Sequence, residues 1–311
     1  MNNRKEIVRD IDLNQIDDFK NLLESMGSSG GFNGRLVYDG YVILKKMFND
    51  KKSFNVLTFP ASLVATGTRG IITTMLKENL FDLVITTCGS IDHDIARSYG
   101  NYYKGDFNLN DIELDKKGYH RLGNIVIPKT AYGELIEKKT QNILLKMYNS
   151  GIKNPTPSEI INEIGKYGRK NSILYWAQKN SIPVIVPGIM DGAVGNQIWL
   201  FNQLHKDFTI NIIEDQQIIA NNLFNAKKTG ALILGGGISK HHAIWWNQFK
   251  GGLDYAVYIT TAIESDGSLS GARSHEAISW GKIAPNARHV TITSDATVIL
   301  PLLVKGLLSS F

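Results

Sequence analysis

Short apolar runs rich in β-branched residues recur along the chain from residue 55 onward, each about as long as one buried strand. They predict strands at 55–59, 82–87, 123–128, 182–188, 231–236, 255–261 and 289–294. Between them, apolar residues at helical spacing predict helices at 67–79, 131–149, 157–165, 171–179, 212–226, 241–250, 271–280 and 295–307. This alternation predicts an α/β fold: a doubly wound, mostly parallel sheet with helices on both faces.

The N-terminal part of the chain is patterned differently. It predicts one helix at about 13–25, followed by the glycine- and serine-rich segment "MGSSGGFNG" at 26–34, which is typical of a flexible loop. We therefore divide the 311 residues into a short N-terminal helical extension with its loop, 1–34, and a single α/β domain, 35–311.

Composition and charge narrow the class of protein. The chain is 43% hydrophobic and 20% charged, as soluble globular proteins are, and its one cysteine, Cys88, favours a reducing cytoplasmic location. The first residues contain no apolar signal region, and no apolar run approaches the roughly 20 residues of a membrane span. The net charge of +5 comes from scattered lysine pairs without interleaved aromatics, so we expect neither a membrane nor a nucleic-acid partner.

Glycine, serine, aspartate and histidine are concentrated where the predicted strands end. The segments are "PASLVATG", "CGSIDHD", "IMDGAVGN", "GGISKHH", "AIESDGSLSGA" and "DAT". Because ligands of open α/β sheets bind beyond the carboxyl ends of the strands, these turns predict one ligand site along that edge.

The segment "LGGGISKHH" at 234–242 places three glycines between a strand and a helix. Such a turn lets the backbone approach a phosphate at the helix N-terminus, although a simple tight turn explains it equally well. His241 and His242 are adjacent, so only one of them can face the site. That histidine is a candidate general base near neutral pH, and a structural histidine is the alternative.

Acidic and histidine side chains cluster in "TTCGSIDHD" at 86–94, which contains Asp92, His93 and Asp94. Three interpretations stay open: a metal site, capping of a helix N-terminus by an aspartate, and binding of a cationic amine. The sequence contains neither HExxH nor paired-cysteine spacing, so we expect no metal.

A single lysine ends the segment "SHEAISWGKI" at 274–283. Glu276 and Trp280 are four residues apart and share a helix face, and Gly281 is typical of a helix C-cap, which places Lys282 just beyond the helix. A lysine there normally stays charged against the helix dipole. Nucleophilic attack requires the uncharged amine, so this role demands desolvation beside Trp280 and the sheet. The ligand-type turns would give such an amine a site in which to act.

Several of these segments together resemble the deoxyhypusine synthase family, in order and spacing. They are "LVITTCGSIDHD", "RLGNIVIP", "SILYWAQKNSIPVIVPGIMDG", "LGGGISKHH", "DYAVYITTAIESDGSLSGAR", "EAISWGKI" and "SDATVILPLL". The resemblance runs from about residue 55 to the C-terminus and is loose before residue 50. It implies a Rossmann-like NAD-binding fold and a cytoplasmic homotetramer with sites at subunit interfaces.

The resemblance also implies an activity. Members transfer the 4-aminobutyl group of spermidine to one lysine of the translation factor 5A precursor, which forms deoxyhypusine and begins hypusine biosynthesis. NAD takes a hydride from spermidine and later returns it, so it is not consumed. The family's lysine attacks the resulting imine, releases 1,3-diaminopropane and passes the butylimine to the protein lysine.

Roles carry over to the positions that match the family's motifs. Lys282 matches the nucleophile and His241 the acid/base partner. The positions matching the amine site are Glu276, Trp280, Asp92, His93, Asn196, Gly267 and Ser268. The positions matching the NAD site are Ser62, Thr87, Cys88, Gly89, Asp191, Gly235, Gly236, Thr261, Ala262, Asp266, Asp295 and Ala296.

The chain departs from the eukaryotic pattern at several of these places. That pattern has a glutamate at His93, aspartates at Asn196 and Leu269, a serine at Ala65 and an asparagine at Trp245. The "DHD" and "GAVGN" forms are more similar to archaeal members. Each lost charge-assisted bond removes roughly 1.5–3 kcal/mol of amine binding. Three alternatives to spermidine chemistry therefore stay open: another donor such as agmatine, homospermidine synthesis, and a non-catalytic NAD-binding member.

Overall fold

The computed structural model describes residues 6–310, which form a main sheet and a small second sheet. Within that range the strands are β1 (Ser53–Thr58), β2 (Leu83–Ile85), β3 (Tyr103–Lys104), β4 (Tyr119–Leu122), β5 (Ile125–Pro128), β6 (Val184–Ile185), β7 (Lys228–Leu234), β8 (Leu253–Thr260) and β9 (Ile283–Thr293). The main sheet has the order β6–β2–β1–β7–β8–β9, and all its neighbouring strands are parallel.

Helices connect these strands. They are α1 (Phe19–Ser28), α2 (Phe32–Asn49), α3 (Ala61–Ala65), α4 (Arg69–Lys77), α5 (Cys88–Tyr99), α6 (Asp111–Lys116), α7 (Leu135–Asn149), α8 (Pro157–Lys166), α9 (Ile173–Lys179), α10 (Ala193–Leu204), α11 (Ile212–Asn225), α12 (Gly237–Gln248), α13 (Glu276–Ser279) and α14 (Ala296–Leu308). Short 3₁₀ turns lie at Leu13–Gln15 and Glu264–Asp266, and a π-helical turn lies at Thr130–Glu134. None of the helices described here is long and apolar enough to cross a membrane.

Both faces of the main sheet are covered, as the apolar runs predict. Successive residues of β1 point to opposite faces, so Leu57 packs with α2 and α14 on one side while Val56 packs with α11 and α12 on the other. The strand order reverses between β1 and β7, because the chain first adds β2 and β6 outward and then continues on the other side. The predicted doubly wound α/β fold is therefore confirmed, with its topological switch point between β1 and β7.

Two predictions about individual segments are wrong. The run at 123–128 forms β5, but β5 pairs antiparallel with β3 and β4 in the small sheet and lies outside the main one. The flexible loop expected at 26–34 shrinks to residues 29–31, because α1 continues to Ser28 and α2 begins at Phe32. The proposed domain boundary at residue 34 falls inside α2, which packs on the sheet.

Candidate functional site

The turns that match the NAD site lie at the carboxyl edge of the main sheet. In chain order, these turns follow β1, β2, β6, β7, β8 and β9. The matching residues are Ser62 after β1; Thr87, Cys88 and Gly89 after β2; Asp191 after β6; Gly235 and Gly236 after β7; Thr261, Ala262 and Asp266 after β8; and Asp295 and Ala296 after β9. Because β1 and β7 are neighbours at the switch point, the Ser62 turn and the Gly235 turn meet there. The carboxyl-edge placement inferred from the sequence is correct for these turns.

Two helices begin at this edge with their N-termini free of side-chain caps. No side chain of the described residues caps α5 after Thr87 or α12 after Gly236. The first N–H groups of a helix have no partner within the helix and carry partial positive charge, so they suit phosphate oxygens. The residues present therefore fit the two phosphates of a dinucleotide such as NAD.

Gly236 also brings a loop against α12. An ideal Cβ atom on Gly236 would lie 2.1 Å from the Ser270 Oγ atom, so only glycine allows this approach. The loop of residues 263–273, which we call the substrate loop, runs from the end of β8 past this glycine. Asp266 on it is exposed, and hydrogen bonds from the Ser268 hydroxyl and then from the Ser268 N–H, the latter at 2.7 Å, lower the pKa of the Asp266 carboxyl.

The Lys282 side chain is shielded from solvent, although it follows the C-terminus of a helix. α13 ends at Ser279, Gly281 adopts φ 67°, and the Lys282 N–H donates to the Ala277 carbonyl at 2.9 Å. This confirms Gly281 as the helix-terminating residue. The side chain of Lys282 is buried, with a residue exposure of 8%, and its Nζ lies 4.9 Å from the Trp280 ring centroid. Most of the Lys282 side chain is therefore removed from bulk solvent.

His241 belongs to the same group of side chains. Its ring stacks on Trp245 one turn along α12, with centroids 5.5 Å apart, and the Lys282 Nζ lies 5.9 Å from the Trp245 ring. Partial burial lowers the pKa of His241, and the nearby charge of Lys282 lowers it further. A neutral imidazole beside an amine can accept a proton. We call Lys282, His241, Trp245 and Trp280 the lysine cluster.

His242 is held differently from His241. Burial lowers the pKa of His242 to about 4, and its Nε2 atom is buried without a hydrogen-bond partner among the described residues. The two rings thus have separate environments, as expected for adjacent helical positions.

A cavity of about 320 Å³ joins the lysine cluster to the substrate loop. Its walls include Lys240, Tyr258, Glu264, Gly267, Ser268, Leu269, Arg273, Glu276, Trp280 and Lys282. Of the residues matched to the amine site, the structure brings Glu276, Trp280, Gly267 and Ser268 together with Lys282.

The other three residues matched to the amine site do not line this cavity. Asp92 is fully buried and accepts hydrogen bonds from the N–H groups of Ala193 and Val194 at 2.8 and 2.9 Å, so it caps α10. The His93 ring bonds the Tyr102 hydroxyl, and Asn196 is exposed on the first turn of α10. Asp92 therefore acts as a helix cap, as one of the three interpretations expected, although the helix that it caps is α10 and not its own. Amine binding by Asp92, His93 and Asn196 stays a prediction. The described residues form no group of three or more His, Cys, Asp or Glu that could hold a metal.

Cys88 is also enclosed. Burial, followed by the nearby Asp92 charge, raises the pKa of its thiol, and its Sγ atom lies 3.9 Å from Asp92 Oδ1. The side chain therefore faces the interior, and Cys88 can serve a ligand only through its backbone N–H at the start of α5.

Lys282 lies at the opposite end of the sheet from the expected one. It precedes the first residue of β9, and the Leu253 N–H at the start of β8 donates to its carbonyl at 3.1 Å. Its cavity instead extends along the substrate loop, which runs back from the carboxyl end of β8. Between residues 6 and 310, no hydrogen bond, ion pair or ring contact joins Lys282 to the carboxyl-edge turns.

Sequence reasoning missed Lys240, the residue before His241. It is 1% exposed, and its Nζ donates to the Leu269 and Ala272 carbonyls at 2.7 and 2.8 Å. Nothing near it in the sequence signals this, because its partners are 29 and 32 residues away. A lysine before two histidines is more typical of an exposed helix face.

Comparison with known proteins decides the family. A family model for deoxyhypusine synthase matches residues 21–307. The chain belongs to the deoxyhypusine synthase family. It is similar to a "Probable deoxyhypusine synthase" of Picrophilus torridus, with 50% identity over 305 residues, 98% of this chain and 97% of that protein. The Thermoplasma acidophilum protein of the same name is 48% identical over 310 residues, 98% of this chain and 99% of that one.

A solved structure from Entamoeba histolytica, named as a candidate deoxyhypusine synthase, covers 97% of both chains with a TM-score of 0.66 and 21% identity. At that identity it shows a shared fold. The full-length sequence relatives extend the likeness to activity, so this deoxyhypusine synthase family member is an aminobutyl-transferring enzyme.

Proposed function

We propose that the chain transfers the 4-aminobutyl group of spermidine to one lysine of the translation factor 5A precursor, through an imine on Lys282. One observation carries the residue assignment: Lys282 is 8% exposed, beside two indole rings, on the wall of a cavity that also contains Glu276. An amine shielded from solvent that shares a cavity with a carboxylate and aromatic faces is suited to attack the imine carbon of a cationic amine.

The side chains of the lysine cluster and Glu276 have separate roles in this reaction. The Lys282 Nζ attacks the imine carbon of the oxidised donor, and the carbon–nitrogen bond to 1,3-diaminopropane breaks. His241, kept neutral and fixed by its stack on Trp245, receives the proton that the attacking amine loses and passes it to the nitrogen of 1,3-diaminopropane as that amine leaves. Glu276 binds an ammonium group of the donor, and the Trp280 ring contacts another through its face.

The carboxyl-edge turns would hold NAD, which when bound accepts a hydride from the donor amine and returns it to the product. The free N-termini of α5 and α12 would bind its phosphate oxygens, and the exposed carboxylate of Asp266 or Asp295 would accept hydrogen bonds from its ribose hydroxyls. The protein acts as a cytoplasmic homotetramer with sites at subunit interfaces. Its single, buried cysteine fits a reducing compartment.

Borohydride trapping tests this proposal. Protein incubated with NAD and spermidine and then reduced should carry the 4-aminobutyl mass on the peptide containing Lys282, and release 1,3-diaminopropane. Omitting NAD should abolish the adduct, and so should Lys282→Met, whereas Lys305→Met, an exposed lysine on α14, should leave it intact. Adduct on another residue, or none at all, would refute the assignment. Release of diaminopropane also separates an enzyme from a non-catalytic NAD-binding protein.

A second candidate function uses another donor or acceptor, and Leu269 favours it. Leu269 lines the cavity as an apolar residue where the eukaryotic pattern has an aspartate. Spermidine, agmatine and small acceptor amines should therefore be compared by the mass added to the factor's lysine or to the acceptor. If spermidine is the poorer donor, Leu269→Asp should lower its KM by roughly tenfold, since a charge-assisted bond contributes about 1.5–3 kcal/mol. An unchanged KM would show that this position does not select the donor.

A further inference from the structure

Lys240 is a buried cation without a carboxylate partner. Its residue is 1% exposed, and among the described residues no Asp or Glu oxygen lies within 4.0 Å of its Nζ. The ammonium group is satisfied by the Leu269 and Ala272 carbonyls, and it lies 4.4 Å from the Tyr258 ring centroid. Burial lowers the pKa of Lys240 to about 8, against the opposing effect of Glu276.

Stability alone does not explain a lysine at this position. Removing a charge from water is costly, and an apolar side chain of similar volume is often as stable or more so at such sites. The next turn of α12 on this side carries Ala243 and Ile244, which are buried and apolar. The role of the Lys240 ammonium group therefore lies in its hydrogen bonds to the Leu269 and Ala272 carbonyls.

Both carbonyls belong to the substrate loop. Between Gly267 and Ala272 the loop supplies one wall of the cavity, and its outer part is attached elsewhere, where Arg273 Nη1 donates to Thr293 Oγ1 at 2.9 Å. Lys240 is the attachment on the inner side, next to His241 in the sequence of α12. Without Lys240, two carbonyls beside the cavity would lose their hydrogen-bond donor, and the contact between the substrate loop and α12 would be weaker.

We propose that Lys240 is a positioning residue that fixes the substrate loop against α12, and so sets the distance between the amine-binding wall and His241. It does not touch the reacting atoms. Its loss should impair binding of the donor amine more than the chemistry on Lys282. This inference rests on the proposed function, because it assumes that the cavity binds the donor.

The test compares Lys240→Met, which removes both hydrogen bonds, with Lys240→Gln, which keeps an N–H donor pair without charge. Lys250→Met is the matched control: Lys250 also donates to one carbonyl, that of Ala226, at 2.8 Å, outside the cavity. For Lys240→Met we expect the donor KM to rise about tenfold or more and amide exchange at 263–273 to speed up similarly, with single-turnover adduct formation at saturation changed less than about threefold. Lys240→Gln should be intermediate, and Lys250→Met should match the wild type.

Several results would overturn the inference. One is a Lys240→Met protein with lower thermal stability but unchanged KM and unchanged exchange in the loop, because that marks an ordinary structural residue. Another is an equal loss in Lys250→Met. If Lys240→Met does not fold, Lys240→Gln decides by the same readouts. If the wild type forms no adduct on Lys282, the proposed function fails, and loop exchange together with calorimetric amine binding still decides the role of Lys240.

Discussion

Lys282 is kept from water by two indole rings that are themselves accessible in a single chain. Trp280 is 64% exposed and Trp245 42% exposed, whereas the lysine between them is only 8% exposed. The turn at Gly281 sets the direction in which the Lys282 side chain leaves the backbone, and so brings its amine between these rings. The position of the proposed nucleophile therefore depends on the backbone geometry of one glycine.

Replacement of Gly281 should expose this dependence. Its φ of 67° disfavours any side chain, although an added Cβ would meet no atom within 4 Å. Gly281→Ala should therefore lower the free energy of unfolding by about 1 kcal/mol and reduce adduct formation on Lys282. Gly70→Ala, at a helical glycine of α4 that also has open space, should raise it by about 0.5–1 kcal/mol. Denaturant unfolding and trapping measure both, and equal stability changes in the two variants would contradict this account.

The pKa of His242 predicts a loss of stability in acid. Burial holds it at about 4 in the folded chain, against 6.5 for the free side chain. Between those pH values the unfolded chain binds a proton that the folded chain does not, so stability falls as pH drops from 6.5 toward 4. The loss attributable to this half-buried ring should reach about 2 kcal/mol.

Urea unfolding at pH 7, 6 and 5 measures that slope. His242→Phe should unfold with a shallower pH dependence than the wild type, whereas His120→Gln, at an exposed histidine of β4, should leave the slope unchanged. A wild-type slope in His242→Phe would mean that other groups, His93 among them, account for acid sensitivity.

At the scale of elements, α5 acts as a link between helices. Asp92 caps α10, and two residues later Asp94 accepts from the N–H groups of Ile173 and Leu174 at the start of α9. Both aspartates are buried, so each capped helix end would lose its partner in a dry place if its aspartate were removed. The two aspartates of "DHD" thus join α5 to α9 and α10 through hydrogen bonds.

Asp92→Ala should consequently destabilise the fold by about 3 kcal/mol, because two buried N–H groups and the Tyr132 hydroxyl lose their acceptor. Asp18→Ala, at an exposed cap that accepts one bond from the Asn21 N–H, should cost about 1 kcal/mol. Chemical denaturation compares the two. Equal losses would show that Asp92 stabilises the fold no more than a surface cap does.

Most strands of the main sheet could be predicted because they are buried on both faces and therefore mainly apolar. The first half of β9 is partly exposed and polar, so only the end of this edge strand could be predicted. The helices α2, α5 and α10 could not be predicted from the sequence. α2 and α10 begin with glycine-containing turns, and α5 carries polar side chains whose partners lie 78 to 102 residues away. The parallel topology similarly predicted that the cofactor turns lie at the carboxyl edge of the main sheet. The position of Lys282 before β9 and the carbonyl partners of Lys240 depend on how the substrate loop returns, which no local pattern encodes.

At the scale of the whole molecule, the two halves of the candidate site lie apart within one chain. The cofactor turns follow the strands, whereas Lys282 precedes β9 and opens toward exposed Trp280. A symmetric partner that covers those indoles would dry the lysine further and bring its own turns to it. The expected tetramer with interface sites therefore predicts that each site combines residues of two protomers.

Mixed oligomers test that arrangement. Lys282→Ala and Asp191→Ala should each be inactive alone. When the two are co-expressed in equal amounts, random pairing leaves both halves intact in about a quarter of composite sites, so about a quarter of wild-type activity should return. Two variants in the same half, Lys282→Ala with Lys282→Arg, should restore none. If native mass spectrometry shows mixed oligomers and activity stays absent, each site lies within one chain, and Lys282 must reach the turns of its own sheet by movement of the substrate loop.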